Sequence, residues 1–221
     1  MKLLIEAFVK YILGLILVSI LLFLPAGTLK WNNALVFLAV LFIPMFIAGI
    51  VMYIKAPDLL RSRLNASEKQ NEQKDVISYS AIMFLLSFII AGLNYRFRWF
   101  FFPNIVVIIG IVIFLISYLL FAEVLRENAY LSRTIEVVDN QKVVDTGLYA
   151  IVRHPMYFAI LFLFLSMPLI LNSPISFIIM LAYIPIIVKR IKNEEEVLEK
   201  QLNGYIEYKQ KVKYKLLPYI Y

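Results

Sequence analysis

Residues 155–188 read PMYFAILFLFLSMPLIL-NSP-ISFIIMLAYIPIIV, thirty-four positions without one charged side chain. Two apolar runs, 155–171 and 175–188, are separated only by Asn172-Ser173-Pro174. A break this short returns the second helix antiparallel to the first, so the stretch predicts a tight helical hairpin. The first run approaches the roughly 20 apolar residues needed to cross a hydrocarbon core. The second is shorter and contains Pro185, and it is read as running on through 189–199 as one helix that leaves the membrane.

Outward from the hairpin, the chain holds four more such runs, at 3–24, 34–54, 76–93 and 105–122. Glu6 and Lys10 form an i,i+4 pair near the end of the first, within reach of the interface. That run lacks the small-x-small site of a cleavable signal peptide. Pro44 predicts a kink in the second. The fold class is therefore all-α: a polytopic membrane bundle of about six transmembrane helices, with a C-terminal helical hairpin and a polar tail beyond it. Residues 1–122 form the N-terminal region of four spans, and 123–221 hold nearly every candidate for chemistry. No 20–50-residue repeat and no low-complexity segment interrupts this division.

Composition agrees. Of 221 residues, 62% are hydrophobic and 17% charged, against about 45–50% and about 25% in soluble domains. With six spans, nineteen of the twenty-two Lys and Arg and all fifteen acidic residues fall on one side of the membrane. Only Lys30, Arg96 and Arg98 fall on the other, so the polar side is read as cytoplasmic, and the membrane as the cell membrane in a prokaryote. The net charge of +7 is then assigned to loops beside anionic membrane lipids rather than to nucleic acid. With no cysteine and a single histidine, His154, thiol chemistry and a histidine-cluster metal site are excluded.

The polar stretch before the hairpin ends in Gly147-Leu148-Tyr149-Ala150-Ile151-Val152-Arg153-His154-Pro155-Met156-Tyr157. Pro155 suits the first position of a helix and holds His154 extended. Arg153 and His154 thus stand at a helix start on the membrane surface, with Tyr157 one turn up. Beyond the second run, Arg190 and Glu194 are four apart and share a helical face, while Glu195 points about 100° away from Glu194. The hairpin brings both groups to one mouth. Tyr205-Ile206-Glu207-Tyr208-Lys209 is a tail able to fold back over it. Taken singly, His154 fits a capping role, Arg190 a basic flank, Glu196 and Glu199 a solvated face, and Tyr149 and Tyr157 an interfacial belt. Those roles do not require all of them at the two ends of one hairpin.

Gly147-x-Tyr149-x-x-x-Arg153-His154-Pro155-x-Tyr157, followed by Arg190-x-x-x-Glu194-Glu195-x-x-Leu198, Tyr205-x-x-Tyr208 and Leu217-Pro218, resembles the isoprenylcysteine carboxyl methyltransferase family across roughly 130–221. The resemblance implies an integral membrane enzyme that uses S-adenosylmethionine. It implies cofactor binding by Gln141, Lys142, Val143, Val144, Tyr149, His154, Pro155, Met156, Tyr157 and Glu194. It also implies a substrate-holding catalytic arginine, Arg190, with Arg153 as a second candidate. Ala159 stands where the family usually has glycine, and Gln141 also departs from the pattern.

The residue chemistry is compatible. Tyrosine faces and a carboxylate suit a sulfonium cation, and no Gly-x-Gly-x-x-Gly motif offers a Rossmann alternative. A carboxylate acceptor is already ionised at neutral pH and needs only orientation. An amine acceptor needs a base, for which His154 and Glu194 are the nearby groups. The leading expectation is methyl transfer to a lipophilic or prenylated acceptor drawn from the bilayer, with no metal and no nucleic acid. Prenylated cysteine, a phospholipid amine, an isoprenoid acid and a lipophilic thiol all stay open as acceptors. The alternatives are a phospholipid N-methyltransferase, a sterol-type reductase using a nicotinamide, and a non-catalytic scaffold or transporter.

Overall fold

The computed structural model describes residues 2–64, 71–128, 130, 137 and 140–221, with only the backbone of 71–73. Lys69, Arg133, Glu68, Glu136 and Asp139, which contribute to the charge asymmetry, lie outside the described residues, as does much of the polar loop before Gln141.

Every regular element among the described residues is helical. The order is α1 (Lys2–Ala26), α2 (Asn32–Lys55), α3 (Pro57–Leu64), α4 (Asn71–Phe97), α5 (Asn104–Glu127), a 3-10 turn (Gly147–Ala150), α6 (Pro155–Ile170), α7 (Pro174–Met180), α8 (Tyr183–Gln201) and α9 (Tyr205–Lys211). Helices α1, α2, α4 and α5, and α7 taken with α8, are long and apolar enough to cross a membrane. Much of their apolar surface faces outward: Leu13, Leu24, Ile54 and Leu119 are all exposed. Such a surface demands lipid, and the protein is an integral membrane protein.

The sixth expected span is shorter than the others. Helix α6 has 16 residues, about 24 Å at roughly 1.5 Å per residue. Pro155 fixes its start, and the Asn172-Ser173-Pro174 turn, with Asn172 at φ 56°, fixes its end. The last span is two helices, not one, and the reason is Pro185. Its ring opposes the carbonyl four residues back, at Leu181, where α7 gives way to α8. Helix α8 then continues as expected, carrying charged residues beyond the apolar run. Pro44, by contrast, sits inside a continuous α2. Two carbonyls in the turn preceding it accept side-chain donors, Leu41 from Tyr118 at 2.8 Å and Phe42 from Tyr11 at 3.2 Å.

Helix α3 lies in a segment expected to be a loop. It is short and charged, so hydropathy does not find it. Its composition nonetheless suits a helix, with Pro57 at the start, Asp58 in the first turn and Arg61 and Arg63 in the last. Leu60 is its buried anchor.

Close approach sets the position of α6. A Cβ on Gly110 of α5 would stand 2.8 Å from Leu169 Cβ, and one on Gly92 of α4 would stand 2.6 Å from the Leu22 carbonyl of α1. Bare backbone at these two crossings lets α5 lie along α6 and α4 along α1. Polar ties hold the end of the bundle at the hairpin turn: Asn33 Nδ2 donates to the Ile170 carbonyl at 2.9 Å, and Asn172 Oδ1 accepts the Phe102 N–H at 2.6 Å. The opposite end, where α6 begins and α8 projects, carries the polar cluster.

Candidate functional site

The site begins at the last turn of α5. The Glu127 carboxylate accepts the Leu148 N–H, with its two oxygens 2.9 and 3.2 Å away. Asn128 Nδ2 donates to Tyr149 Oη at 3.0 Å. These bonds fix the 3-10 turn against α5. Gly147 makes the approach possible: its φ is +57°, and a Cβ there would collide with the Glu127 carboxylate. The turn delivers the chain to Arg153 and His154. Pro155 takes the first helical position, as the sequence predicts, while His154 before it, at φ −125° and ψ 60°, stops short of the extended conformation expected.

Across the mouth, α8 presents Arg190 and Glu194. Tyr157 of α6 joins them: its hydroxyl donates to Glu194 Oε2 and accepts from Arg190 Nε at 2.9 Å. The His154 ring stacks on Tyr157, with centroids 5.7 Å apart and planes 25° apart. Its Nδ1 lies 4.0 Å from Glu194 Oε1, and its Nε2 lies 3.2 Å from Glu195 Oε1. The neighbouring glutamates therefore divide, as the 100° step of a helix requires. Glu194 lines the cleft, and Glu195 is turned inward and buried, receiving Arg153 Nε at 2.7 Å and Lys215 Nζ at 3.0 Å.

The tail does fold back. Arg153 Nη1 donates to the carbonyls of Val212 and Lys213 at 2.7 and 2.9 Å. The backbone N–H groups of Arg153 and His154 donate to Tyr214 and Lys215 at 2.9 and 2.8 Å. Lys211 pairs with Asp145 at 3.0 Å, and Tyr208 Oη donates to the Tyr149 carbonyl at 2.7 Å. Leu202, Tyr205, Tyr208 and Val212 form their own apolar cluster against Val137, Val143 and Leu198. We call residues 202–221 the strap. Burial, before any neighbouring charge, raises the phenols of Tyr149, Tyr205 and Tyr208 well above their ordinary range, so all three stay protonated donors.

Strap, 3-10 turn, α6 and α8 enclose a cleft of about 830 Å³, counted out to its open mouth. Gln141, Lys142, Val143, Val144, Tyr149, Arg153, His154, Met156, Tyr157, Arg190 and Glu194 all line it. Pro155 is buried behind it, and Ala159, one turn deeper in α6, is fully buried. Asn128, Tyr130, Leu198, Leu202, Tyr205 and Tyr208 also line the cleft without having been candidates. Leu198, Tyr205 and Tyr208 belong to the motif pattern and could have been found there. Asn128 and Tyr130 carry no local signal.

The donor set suits a charged nucleoside-type ligand. A carboxylate, five tyrosines, a histidine and a lysine share one concave, partly apolar lining. Tyr205, a cleft-lining residue, is 4% exposed, and its hydroxyl has no hydrogen-bond partner among the described residues.

Residues 106–200 match the model of the isoprenylcysteine carboxyl methyltransferase family. The family resemblance expected from the sequence is borne out over that stretch, which runs from the first turn of α5 to the end of α8. The match starts earlier than the motifs and stops short of the strap. No individual curated protein matches the chain.

Proposed function

We propose that this membrane methyltransferase-type chain transfers a methyl group from S-adenosylmethionine to a carboxylate on a lipophilic, prenylcysteine-like acceptor. The observation that carries this reading is the Arg190–Tyr157–Glu194 chain on the cleft wall. It sets a guanidinium and a carboxylate side by side with one tyrosine hydroxyl bridging them.

When bound, S-adenosylmethionine supplies a methyl group on a sulfonium cation. Glu194 and the rings of Tyr149 and Tyr157 would hold the cationic part, and Gln141–Val144 the remainder of the cofactor. Arg190 would orient the acceptor carboxylate. Its Nε bond to Tyr157 fixes the plane of the guanidinium, which keeps the acceptor in line without a proton to remove. His154 is engaged by Glu195 and stacked on Tyr157, an arrangement that suits positioning better than a base for an amine acceptor. Arg153 spends its Nε and Nη1 donors on Glu195 and the strap, so it serves as a positioning residue and Arg190 holds the substrate.

The lipid part of the acceptor would lie against apolar surface near Arg190. An apolar groove between α4 and the α7–α8 break is lined by Tyr79, Ile82, Met83, Leu86, Ile179, Ala182 and Ile186. Ile186 is one turn before Arg190 on α8. The mouth of the cleft is assigned to the cytoplasmic side on the Lys and Arg asymmetry.

The test uses the purified protein in lipid nanodiscs, with S-adenosylmethionine, its demethylated product or NADPH, and N-acetyl-S-farnesylcysteine as acceptor. Stabilisation by the adenosyl ligands and methyl ester formation are expected. Stabilisation by NADPH alone would overturn the reading in favour of a reductase, and no ligand effect at all would leave a scaffold.

A further inference from the structure

We infer that Tyr205 is a cofactor-binding residue, delivered to the cleft by the strap. The inference rests on the adenosylmethionine reading and extends it beyond the residues matched by the family.

Two observations converge on this tyrosine. Tyr205 lines the cleft and is 4% exposed, and its buried hydroxyl has no hydrogen-bond partner among the described residues. Leaving a buried hydroxyl unpaired costs free energy, so such a group in a cleft marks the place where a ligand completes the bonding. Tyr208, three residues on in the same helix, serves as the internal comparison. Its hydroxyl is also buried but is bonded to the Tyr149 carbonyl at 2.7 Å, and it ties the strap to the 3-10 turn. One tyrosine of the pair anchors the strap. The other is held ready by that anchorage.

The electrostatic setting favours a polar ligand group. Glu194, Glu195 and Arg153 all act on the Tyr205 phenol, which burial keeps protonated. A protonated hydroxyl in the same cleft lining as the Glu194 carboxylate can donate to a ligand oxygen that itself donates to Glu194, as a sugar hydroxyl does. The strap thus forms one wall of the binding site.

The experiment compares Tyr205→Phe and Tyr208→Phe with the wild type, reading the S-adenosylhomocysteine Kd by calorimetry and the Tm without ligand. Tyr205→Phe should raise Kd about three- to tenfold and leave the ligand-free Tm unchanged or higher, because no bond is lost. Tyr208→Phe should lower the Tm. An unchanged Kd in Tyr205→Phe overturns the inference, as does a lowered ligand-free Tm, which would mean the hydroxyl already has a partner. If the wild type itself fails to bind S-adenosylhomocysteine, the proposed function falls first and this inference with it.

Discussion

Arg153 Nε lies 2.7 Å from Glu195 Oε1, with 3% and 5% of the two side chains exposed. This is the most deeply buried ion pair among the described residues, and its arginine also clamps the Val212 and Lys213 carbonyls. Glu195 in turn gathers His154 and Lys215. One carboxylate therefore fixes the start of α6, the inner face of α8 and the end of the chain.

Removing either partner strands a buried charge. Arg153→Met or Glu195→Gln should cost about 3–5 kcal/mol, read as a fall in Tm of roughly 10 °C. The double variant Arg153→Met/Glu195→Gln should lose less than the sum of the two, since it leaves fewer unpaired charges. Trypsin should cut the strap at Lys209, Lys211 and Lys213 faster in the single variants. Strict additivity would show that the pair does not act as a unit.

Gly147 tests the other side of the cleft. Its positive φ and the collision awaiting any Cβ are separate obstacles. Gly147→Ala should destabilise by about 1–3 kcal/mol, because it displaces Glu127 from the Leu148 N–H. Asparagine tolerates the left-handed region but still carries a Cβ. Gly147→Asn should therefore recover only part of the Tm lost in Gly147→Ala. A full rescue by asparagine would assign the cost to backbone conformation alone.

The legible parts of this molecule are those governed by local rules. A three-residue break between two apolar runs dictates the hairpin, and the hairpin brings Arg153, His154 and Tyr157 to Arg190 and Glu194. The helical step separates Glu194 from Glu195. What the sequence hides is long-range pairing. Nothing local announces that Glu195 meets Lys215, or that Glu127 reaches Leu148 twenty-one residues on. Helix α3 escapes because its stabilisation is charge and capping rather than hydropathy. The break at Leu181–Ala182 lies four residues before Pro185, yet Pro44 and Pro168 sit inside continuous helices, so a proline alone does not announce a break.

Glu194 and Arg190 share Tyr157 as a hydrogen-bond partner but are assigned different ligands. Glu194→Gln removes the charge proposed to face the cofactor cation and should raise the S-adenosylmethionine Kd by about tenfold or more. Arg190→Ala should abolish turnover while changing that Kd by less than about threefold, the scale of one lost neutral contact. Loss of cofactor binding in Arg190→Ala would reverse the division of labour. Tyr157→Phe breaks both bonds at once and should impair both readouts.

The membrane orientation is open to direct measurement because the chain contains no cysteine. Asn140 precedes the cleft-lining segment, and Asn172 forms the hairpin turn at the other end of α6. Between them lies one helix of 16 residues, about 24 Å by helical rise, which is less than the roughly 30 Å core of a typical bilayer. If α6 still places its two ends in different aqueous phases, a membrane-impermeant maleimide added to intact cells should label Asn172→Cys and spare Asn140→Cys until the membrane is opened. The concentration of Lys and Arg at the cleft end sets that direction. Labelling of both positions from one side would mean that α6 is a re-entrant helix. The cleft would then have to be reached from a membrane depth that the charge asymmetry does not describe.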